Sequence, residues 1–126
     1  MASNLGAYEG CAGQREHKFI RAVESFIDQR YNDKELIIIA DGCKITQKIY
    51  KEKYIQYPQI QLIKIPKQDL FSGLVRQGGV EMANGQVICY LDTDDMFGSV
   101  DHLQHIINGF NGTNFDWVYF DDFLKF

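Results

Sequence analysis

The hydrophobic residues of the chain form short runs that predict β-strands. Residues 35–40 and 87–91 are almost continuously apolar, which is typical of strands buried on both faces of a mostly parallel sheet. Residues 60–65 alternate apolar and polar side chains, as a half-exposed edge strand does. Residues 116–120 predict a last strand.

Four stretches between these runs predict helices, and they lie at residues 14–29, 44–57, 72–84 and 99–110. The first and the last show the pattern most clearly, because their apolar side chains recur three and four positions apart. Ser99 is the predicted N-cap of the last helix. Residues 1–13 contain three glycines and no periodicity, so they are predicted to form a loop.

Two adjacent glycines, Gly78 and Gly79, stand inside the third predicted helix. Each costs about 1 kcal/mol relative to alanine at such a position. We therefore expect at least one of them to permit a close approach of backbone to a neighbouring element.

The alternation of helices and strands predicts an α/β fold built from βαβ units around a parallel sheet. With 126 residues, 45% of them hydrophobic, the chain is expected to form a single domain spanning residues 1–126. Two prolines and 24% charged residues argue against a disordered chain.

The charge and cysteine content exclude several classes of function. A net charge of −4 provides no basic face for nucleic acid. No apolar run approaches the roughly 20 residues that cross a bilayer, and the N-terminus has no signal-peptide pattern. The three cysteines lack a C-x-x-C spacing, which indicates reduced thiols in a cytoplasmic protein.

Three carboxylates, Asp92, Asp94 and Asp95, directly follow the apolar run at residues 87–91. At the carboxyl end of a strand they would lie in the crevice where open α/β sheets bind ligands. Acids this close raise one another's pKa unless a cation lies among them, and their oxygens suit Mg²⁺ or Mn²⁺. An exposed acidic turn that caps the next helix is an equally good interpretation of these residues alone.

Two further residues fit the same crevice. Asp41 ends the strand predicted at residues 35–40, where it could contact a ligand or cap the following helix. Arg76 could pair with a diphosphate through its planar guanidinium, or form a surface ion pair. Spacing alone favours the structural role for both.

Four segments in order resemble the inverting, nucleotide-sugar-dependent glycosyltransferases with a GT-A fold, a large family that includes many bacterial enzymes of polysaccharide biosynthesis. They are residues 19–29 (FIRAVESFIDQ), 35–42 (ELIIIADG), 76–85 (RQGG with ANG) and 88–96 (ICYLDTDDM). The resemblance covers roughly residues 14–122 and implies a three-layer, Rossmann-like fold with a mostly parallel sheet.

The resemblance also implies roles for individual residues. Asp41 would hydrogen-bond the nucleotide base, and Arg76 would lie near the base and diphosphate. Asp92 and Asp94 match the DxD motif, with Asp92 toward the ribose and Asp94 on a Mg²⁺ or Mn²⁺ ion that bridges the diphosphate. Asp95 would support the loop. The implied partners are a nucleoside-diphosphate sugar, with a UDP-sugar as the default, and a saccharide or lipid-linked acceptor.

The chain also departs from the family pattern. No hydrophobic strand precedes the first predicted helix, and the chain stops where the family continues into an acceptor-binding half that carries the general base. Gln77 replaces the usual Asn, and Ala40 replaces the first of two acids. We therefore expect the nucleotide-binding half of such an enzyme, cut at both ends. The catalytic base is not identified, and Asp121 or Asp122 would be a poor candidate.

A sheet without its central strand would leave an unpaired edge and exposed apolar surface. We expect either a rearranged sheet or a homodimer that covers the edge, together with weak nucleotide binding. The location expected is the cytoplasm, at the inner face of the membrane in the complete protein.

Two alternative functions stay open. One is a catalytically inactive binding or assembly module that keeps the glycosyltransferase fold. The other is a receiver-like signalling domain, which would require a lysine at a strand end opposite the acids. None of the predicted strands ends in a lysine.

Overall fold

The computed structural model describes residues 1–6, 13–67 and 72–118. In these segments three parallel strands form one sheet in the order β1-β2-β3, with β2 in the middle. The strands are β1 (Ala2–Ser3), β2 (Leu36–Asp41) and β3 (Ile60–Ile65). The predicted α/β fold with a parallel sheet is confirmed.

Helices connect and follow the strands. They are α1 (Arg15–Ile27), α2 (Lys44–Ile49), which continues as a π-helix over Tyr50–Tyr54, α3 (Ser72–Met82) and α4 (His102–Phe110). The helices predicted from periodicity are thus all present, with ends that differ by a few residues. Among the residues placed by the structure, no helix is long and apolar enough to cross a membrane.

The core lies on both faces of β2, whose six residues are all buried. Leu36 and Ile38 belong to the cluster that α1 covers, whereas Ile37 and Ile39 pack with Val75 of α3 on the opposite face. Successive strand residues point to opposite faces, so a continuously apolar run fits a strand covered by helices on both sides. The result is three layers with the sheet in the middle.

Gly79 allows α3 to approach the sheet closely. A Cβ atom built at Gly79 would lie 3.2 Å from Ile39 Cδ1, whereas one at Gly78 would lie 4.0 Å from the same atom. The predicted close approach is confirmed, and Gly79 is the residue that permits it.

The prediction of a loop over residues 1–13 is wrong at its start. Ala2 and Ser3 form β1, which pairs with β2 in the register Ala2↔Ile39 and Ser3↔Ala40. Ser3 is buried, and its hydroxyl shares a 2.7 Å hydrogen bond with the hydroxyl of Thr46. A strand therefore does precede the first helix. Its two residues are too few for alternation to reveal it in the sequence.

The prediction of a buried central strand at residues 87–91 is also wrong, because this segment forms no strand. Only Leu91 reaches the core, whereas Ile88 and Tyr90 are exposed. A strand needs a neighbour whose backbone groups continue the ladder, and the nearest edge of the sheet, β1, has two residues. The apolar run therefore lies beside the sheet without joining it.

The predicted C-terminal elements are correct only in part. Helix α4 begins at His102 with Asp101 at its cap position, so Ser99 is not the N-cap. Ser99 instead accepts a hydrogen bond from the Asp101 N–H at 3.2 Å in the preceding turn. Residues 116–118 form no strand, and the remainder of the predicted last strand, together with Asp121 and Asp122, lies outside the described residues.

Gln29, at the end of α1, fixes the segment that leads into α4. Its side-chain amide donates to the carbonyl oxygens of Ser25 at 3.1 Å and Ser99 at 2.7 Å, and its Oε1 accepts from the Leu103 N–H at 2.9 Å. Gln29 is buried, so these hydrogen bonds satisfy a polar side chain inside the core.

Candidate functional site

A cavity of about 370 Å³ opens where β1 and β2 end. Four residues expected in a common crevice, Asp41, Arg76, Asp92 and Asp94, all line it. The remaining lining residues are Ala2, Ser3, Asn4, Arg15, Lys18, Lys67, Ser72, Val75 and Thr93. The structure brings the four residues together, whereas their individual roles stay predictions.

Asp41 is held by a lysine. Asp41 is the last residue of β2, and its side chain is 9% exposed. Its Oδ2 lies 2.6 Å from the ammonium of Lys67. Lys67 comes two residues after β3, and its side chain is 54% exposed. Asp41 thus forms an ion pair in the cavity wall, and no capping hydrogen bond from a side chain is found at the start of α2.

Arg76 projects from α3 and pairs with Asp92 through a hydrogen-bonded ion pair. Both side chains remain partly exposed, at 34% and 44%. Of the two roles considered for Arg76, the structure shows an ion pair, with a carboxylate of the acid cluster as its partner. The arginine is therefore already inside the cavity and close to the acids.

The acid cluster forms a turn that α1 holds in place. The Asp95 N–H donates to the Asp92 carbonyl oxygen at 3.3 Å, and the guanidinium of Arg21 donates to the Asp94 carbonyl oxygen at 3.0 Å. The side chain of Asp94 lines the cavity, whereas Asp95 is exposed and does not line it. The acids thus divide into two that face the cavity and one that faces solvent.

The site offers few ligands to a metal ion by itself. In the described ranges no group of three or more His, Cys, Asp or Glu side chains is arranged to hold a metal. Asp92 and Asp94 supply two carboxylates, which suits Mg²⁺ or Mn²⁺ when waters and substrate phosphate oxygens complete the coordination. The residues therefore fit an ion that binds together with a phosphate ligand.

A second, larger cavity of about 980 Å³ is lined by residues 87–91 and shares Arg76 with the smaller cavity. It is bounded by β2, α3, the 87–91 segment and α4, and apolar side chains such as Phe26, Leu91 and Phe110 line it. Neither Asp41 nor Asp94 faces this space. We attribute this cavity to the absence of a strand at residues 87–91, which leaves space beside β1.

Lys67 and two basic residues of α1, Arg15 and Lys18, also line the smaller cavity, and no motif in the sequence marks them. The signal for Lys67 was its place just beyond a strand parallel to β2. A lysine therefore does face an acid at this edge of the sheet, so the prediction that no lysine stands opposite the acids is wrong.

Comparison with known families decides the class of protein. The sequence matches the family described as Glycosyl transferase family 2 over residues 11–121. The chain belongs to glycosyl transferase family 2. The matched range contains every charged residue named for the cavity, and β1 precedes it. The sheet and its helices are consistent with part of a GT-A domain, so the receiver-like alternative is dropped.

No curated protein matches this family 2 chain closely. Membership of this family implies the general activity of a glycosyltransferase, the transfer of a sugar from a donor to an acceptor.

Proposed function

We propose that the chain binds a nucleoside-diphosphate sugar in the 370 Å³ cavity, with a divalent ion, and transfers the sugar to an acceptor hydroxyl with inversion. The observation that carries the proposal is the convergence of Asp41, Arg76, Asp92 and Asp94 on one cavity in a family 2 chain. The enzyme class we infer is the bacterial type that builds polysaccharide at the cytoplasmic face of the membrane.

The charges around the cavity suit a nucleoside diphosphate. Asp41 is buried in the cavity wall, where its carboxylate can accept a hydrogen bond from a base N–H, and the more exposed Asp92 would accept from the ribose. Arg76 is close enough to Asp92 to contact the ribose and diphosphate together. Its planar guanidinium matches phosphate oxygens in a bidentate manner.

Asp94 is the residue we assign to the divalent ion, with Asp92 and Asp95 in support. The carboxylate faces the cavity from a turn whose backbone Arg21 holds. When bound, the ion would neutralise the charge that develops on the departing nucleoside diphosphate. The catalytic base for the acceptor hydroxyl is not assigned to any described residue.

Calorimetric titration of UDP and GDP, with and without Mn²⁺, tests the proposal. We expect Mn²⁺ to tighten UDP binding and Asp94→Ala to weaken the Mn²⁺-dependent binding by about ten- to a hundredfold, the value of a hydrogen-bonded or coordinated charge. Asp33→Ala, an exposed acid outside the cavity, is the matched control and should bind as the wild type does. Absence of nucleotide binding by folded wild-type protein would contradict the proposal.

An inactive binding module would share the nucleotide affinity, but no observation favours it. Slow hydrolysis of a UDP-sugar to UDP and free sugar would establish chemistry at the site. We expect this hydrolysis to need Mn²⁺ or Mg²⁺ and to be lost in Asp94→Ala.

Self-association is a further part of the proposal. Ile88 and Tyr90 are exposed apolar side chains in residues 87–91, which do not pair with the sheet, and Val100 is another exposed apolar side chain in the segment before α4. A homodimer would cover such a surface. Sedimentation at several concentrations should show a dimer, and a monomer that persists at the highest concentration would exclude it.

A further inference from the structure

Asp41 and Lys67 are neighbours in the wall of the 370 Å³ cavity and present a hydrogen-bond acceptor and a hydrogen-bond donor at fixed positions. The Asp41 carboxylate accepts, and the Lys67 ammonium donates to its Oδ2 at 2.6 Å. An ammonium carries three N–H groups, so it can donate to a carboxylate and to a ligand at once.

The backbone holds Lys67 in this place. Strands β2 and β3 run in the register Asp41↔Ile65, and the Gly42 N–H donates to the Ile65 carbonyl oxygen at 2.9 Å. Gly42 has φ +63°, and a Cβ atom built there would lie 2.6 Å from Lys67 Cβ and 2.9 Å from its Cα and N. The chain around Lys67 thus lies directly against Gly42, which fixes the lysine next to Asp41.

The two groups also differ in depth. The Asp41 side chain is almost fully buried, whereas about half of the Lys67 side chain is exposed. A ligand that enters the cavity therefore meets an acceptor on the inside with a donor beside it toward the opening. Exchanging the positions of the Asp41 acceptor and the Lys67 donor would require the end of β2 or of β3 to move.

We propose that Lys67 is a specificity-determining residue, which donates a hydrogen bond to the carbonyl oxygen that neighbours the ring N–H of the nucleotide base. The proposal rests on the proposed function, since it concerns the base of the same nucleotide. Asp41 accepts from the ring N–H while Lys67 donates to the adjacent carbonyl oxygen. The ligand chemistry is an N–H beside a C=O, which uracil and guanine share.

Cytosine and adenine present the opposite arrangement. Their ring nitrogen is an acceptor that would face the Asp41 carboxylate, and their amino group is a donor that would face the Lys67 ammonium. A site built for hydrogen bonds discriminates strongly against a ligand that leaves its buried polar groups unpaired. Lys67 therefore contributes to the choice of base, separately from the diphosphate and metal contacts.

The test compares UDP with CDP, and GDP with ADP, by calorimetry in the presence of Mn²⁺. For the wild type we expect a preference for UDP over CDP, or for GDP over ADP, and the stronger pair identifies the base. Lys67→Met should reduce this preference by about tenfold, the worth of a hydrogen bond to a charged group. Lys67→Arg, which keeps a cationic donor, should retain part of the preference.

Lys64→Met is the matched control. Lys64 lies on β3, is exposed and does not line the cavity, so its loss removes the same charge without touching the site. We expect it to leave the base preference unchanged. Circular dichroism and thermal unfolding of all variants separate a specificity change from a loss of folding.

The ligand can be varied while the protein stays intact. 4-Thio-UDP carries a poorer acceptor at the position that Lys67 is expected to contact, so the wild type should bind it several-fold more weakly than UDP. The same comparison in Lys67→Met should show no difference, as expected when the two partners of one contact are removed in turn.

The outcomes separate the two proposals. If the wild type binds UDP or GDP with Mn²⁺ but Lys67→Met keeps the full base preference, the role of Lys67 is wrong and the proposed function stands. If the wild type prefers UDP, the same holds when the folded wild type binds UDP and 4-thio-UDP equally. If the folded wild type binds no nucleotide, both proposals are overturned.

Discussion

Arg76 of α3 and Asp92 of the acid turn form an ion pair across the cavity although they are 16 residues apart in the chain. The pair joins the residue proposed to contact the diphosphate with the residue proposed to contact the ribose. A nucleotide that enters must share or displace this contact. The two side chains should therefore act on nucleotide binding as a unit.

We expect Arg76→Ala and Asp92→Asn each to weaken UDP binding by about tenfold, and the double variant to bind only slightly more weakly than either single variant. The reason is that each substitution removes one group and leaves its partner without the pair. Calorimetry on the four proteins gives the coupling. Fully additive losses would show that the pair is irrelevant to binding.

Arg30 and Asp101 provide the control cycle. They form an ion pair of the same chemical type at 3.2 Å, with side chains 73% and 40% exposed. Removing either should leave UDP affinity unchanged and alter stability by less than about 1 kcal/mol, as usual for surface pairs.

Gly42→Ala should destabilise the protein and weaken nucleotide binding. Its φ of +63° costs about 1–2 kcal/mol for a residue with a side chain, and the added Cβ would collide with the backbone of Lys67. The shift of Lys67 would also disturb Asp41. Urea unfolding and UDP titration measure the two effects.

Gly73→Ala is the matched control for this substitution. A Cβ atom at Gly73 meets nothing within 4 Å, and the residue lies in helix α3. We expect stability to stay the same or rise by up to about 1 kcal/mol. An equal destabilisation by both alanines would refute the steric role of Gly42.

Glu35 should make stability depend on acid pH. Burial alone would raise the pKa of its carboxyl, but hydrogen bonds from Asn84 and Gly85 outweigh this effect and hold the pKa below the ordinary value of 4.5. The carboxylate accepts from the Asn84 N–H and from the Gly85 N–H at 3.0 Å, and so ties the end of α3 to the start of β2.

Because the folded-state pKa is lowered, this stabilisation is fully present above the unfolded value and is lost as the pH falls through the folded value. Glu35→Gln should therefore reduce the free energy of unfolding at pH 7 and flatten its decline below about pH 4.5. Chemical unfolding at several pH values measures both. Glu16→Gln, the loss of an exposed acid in the first turn of α1, is the control and should change the free energy of unfolding at pH 7 by less than about 1 kcal/mol.

Gln29→Ala should cost about 2–3 kcal/mol and loosen the segment before α4, because Ser99 and Leu103 would each lose a buried hydrogen-bond partner. Hydrogen exchange at residues 97–103 should speed up. Gln104→Ala, an exposed glutamine on α4, is the comparison and should change stability by less than about 0.5 kcal/mol. Unchanged exchange in Gln29→Ala would contradict the anchoring role.

The elements whose pattern matches their packing could be predicted from the sequence. The apolar stripe of α1 and the continuous run of β2 both reflect burial, so periodicity identified them. Residues 87–91 show the same pattern as β2 without forming a strand. An apolar, β-branched composition favours a strand, but a strand forms only where a neighbouring strand offers its backbone groups for pairing. The neighbouring edge strand, β1, has only two residues to offer.

The candidate site was predictable where acids follow strands. Asp41 and Asp92 were expected at one edge of the sheet because parallel strands share their carboxyl ends, and both line the cavity. The partner of each acid was not predictable, since Lys67 and Arg76 reach them through the packing of β3 and α3. Contacts of this kind depend on tertiary distance, which spacing in the sequence does not contain.

A titration of the ¹⁵N-labelled protein with UDP and Mg²⁺, followed by amide chemical shifts, tests whether a nucleotide binds in this cavity. A nucleotide in the 370 Å³ cavity should shift the amides of residues 41–42, 76 and 92–94 and leave those of α4 nearly unchanged. Shifts confined to α4 and residues 87–91, or no shifts at millimolar UDP, would contradict a nucleotide site at this cavity.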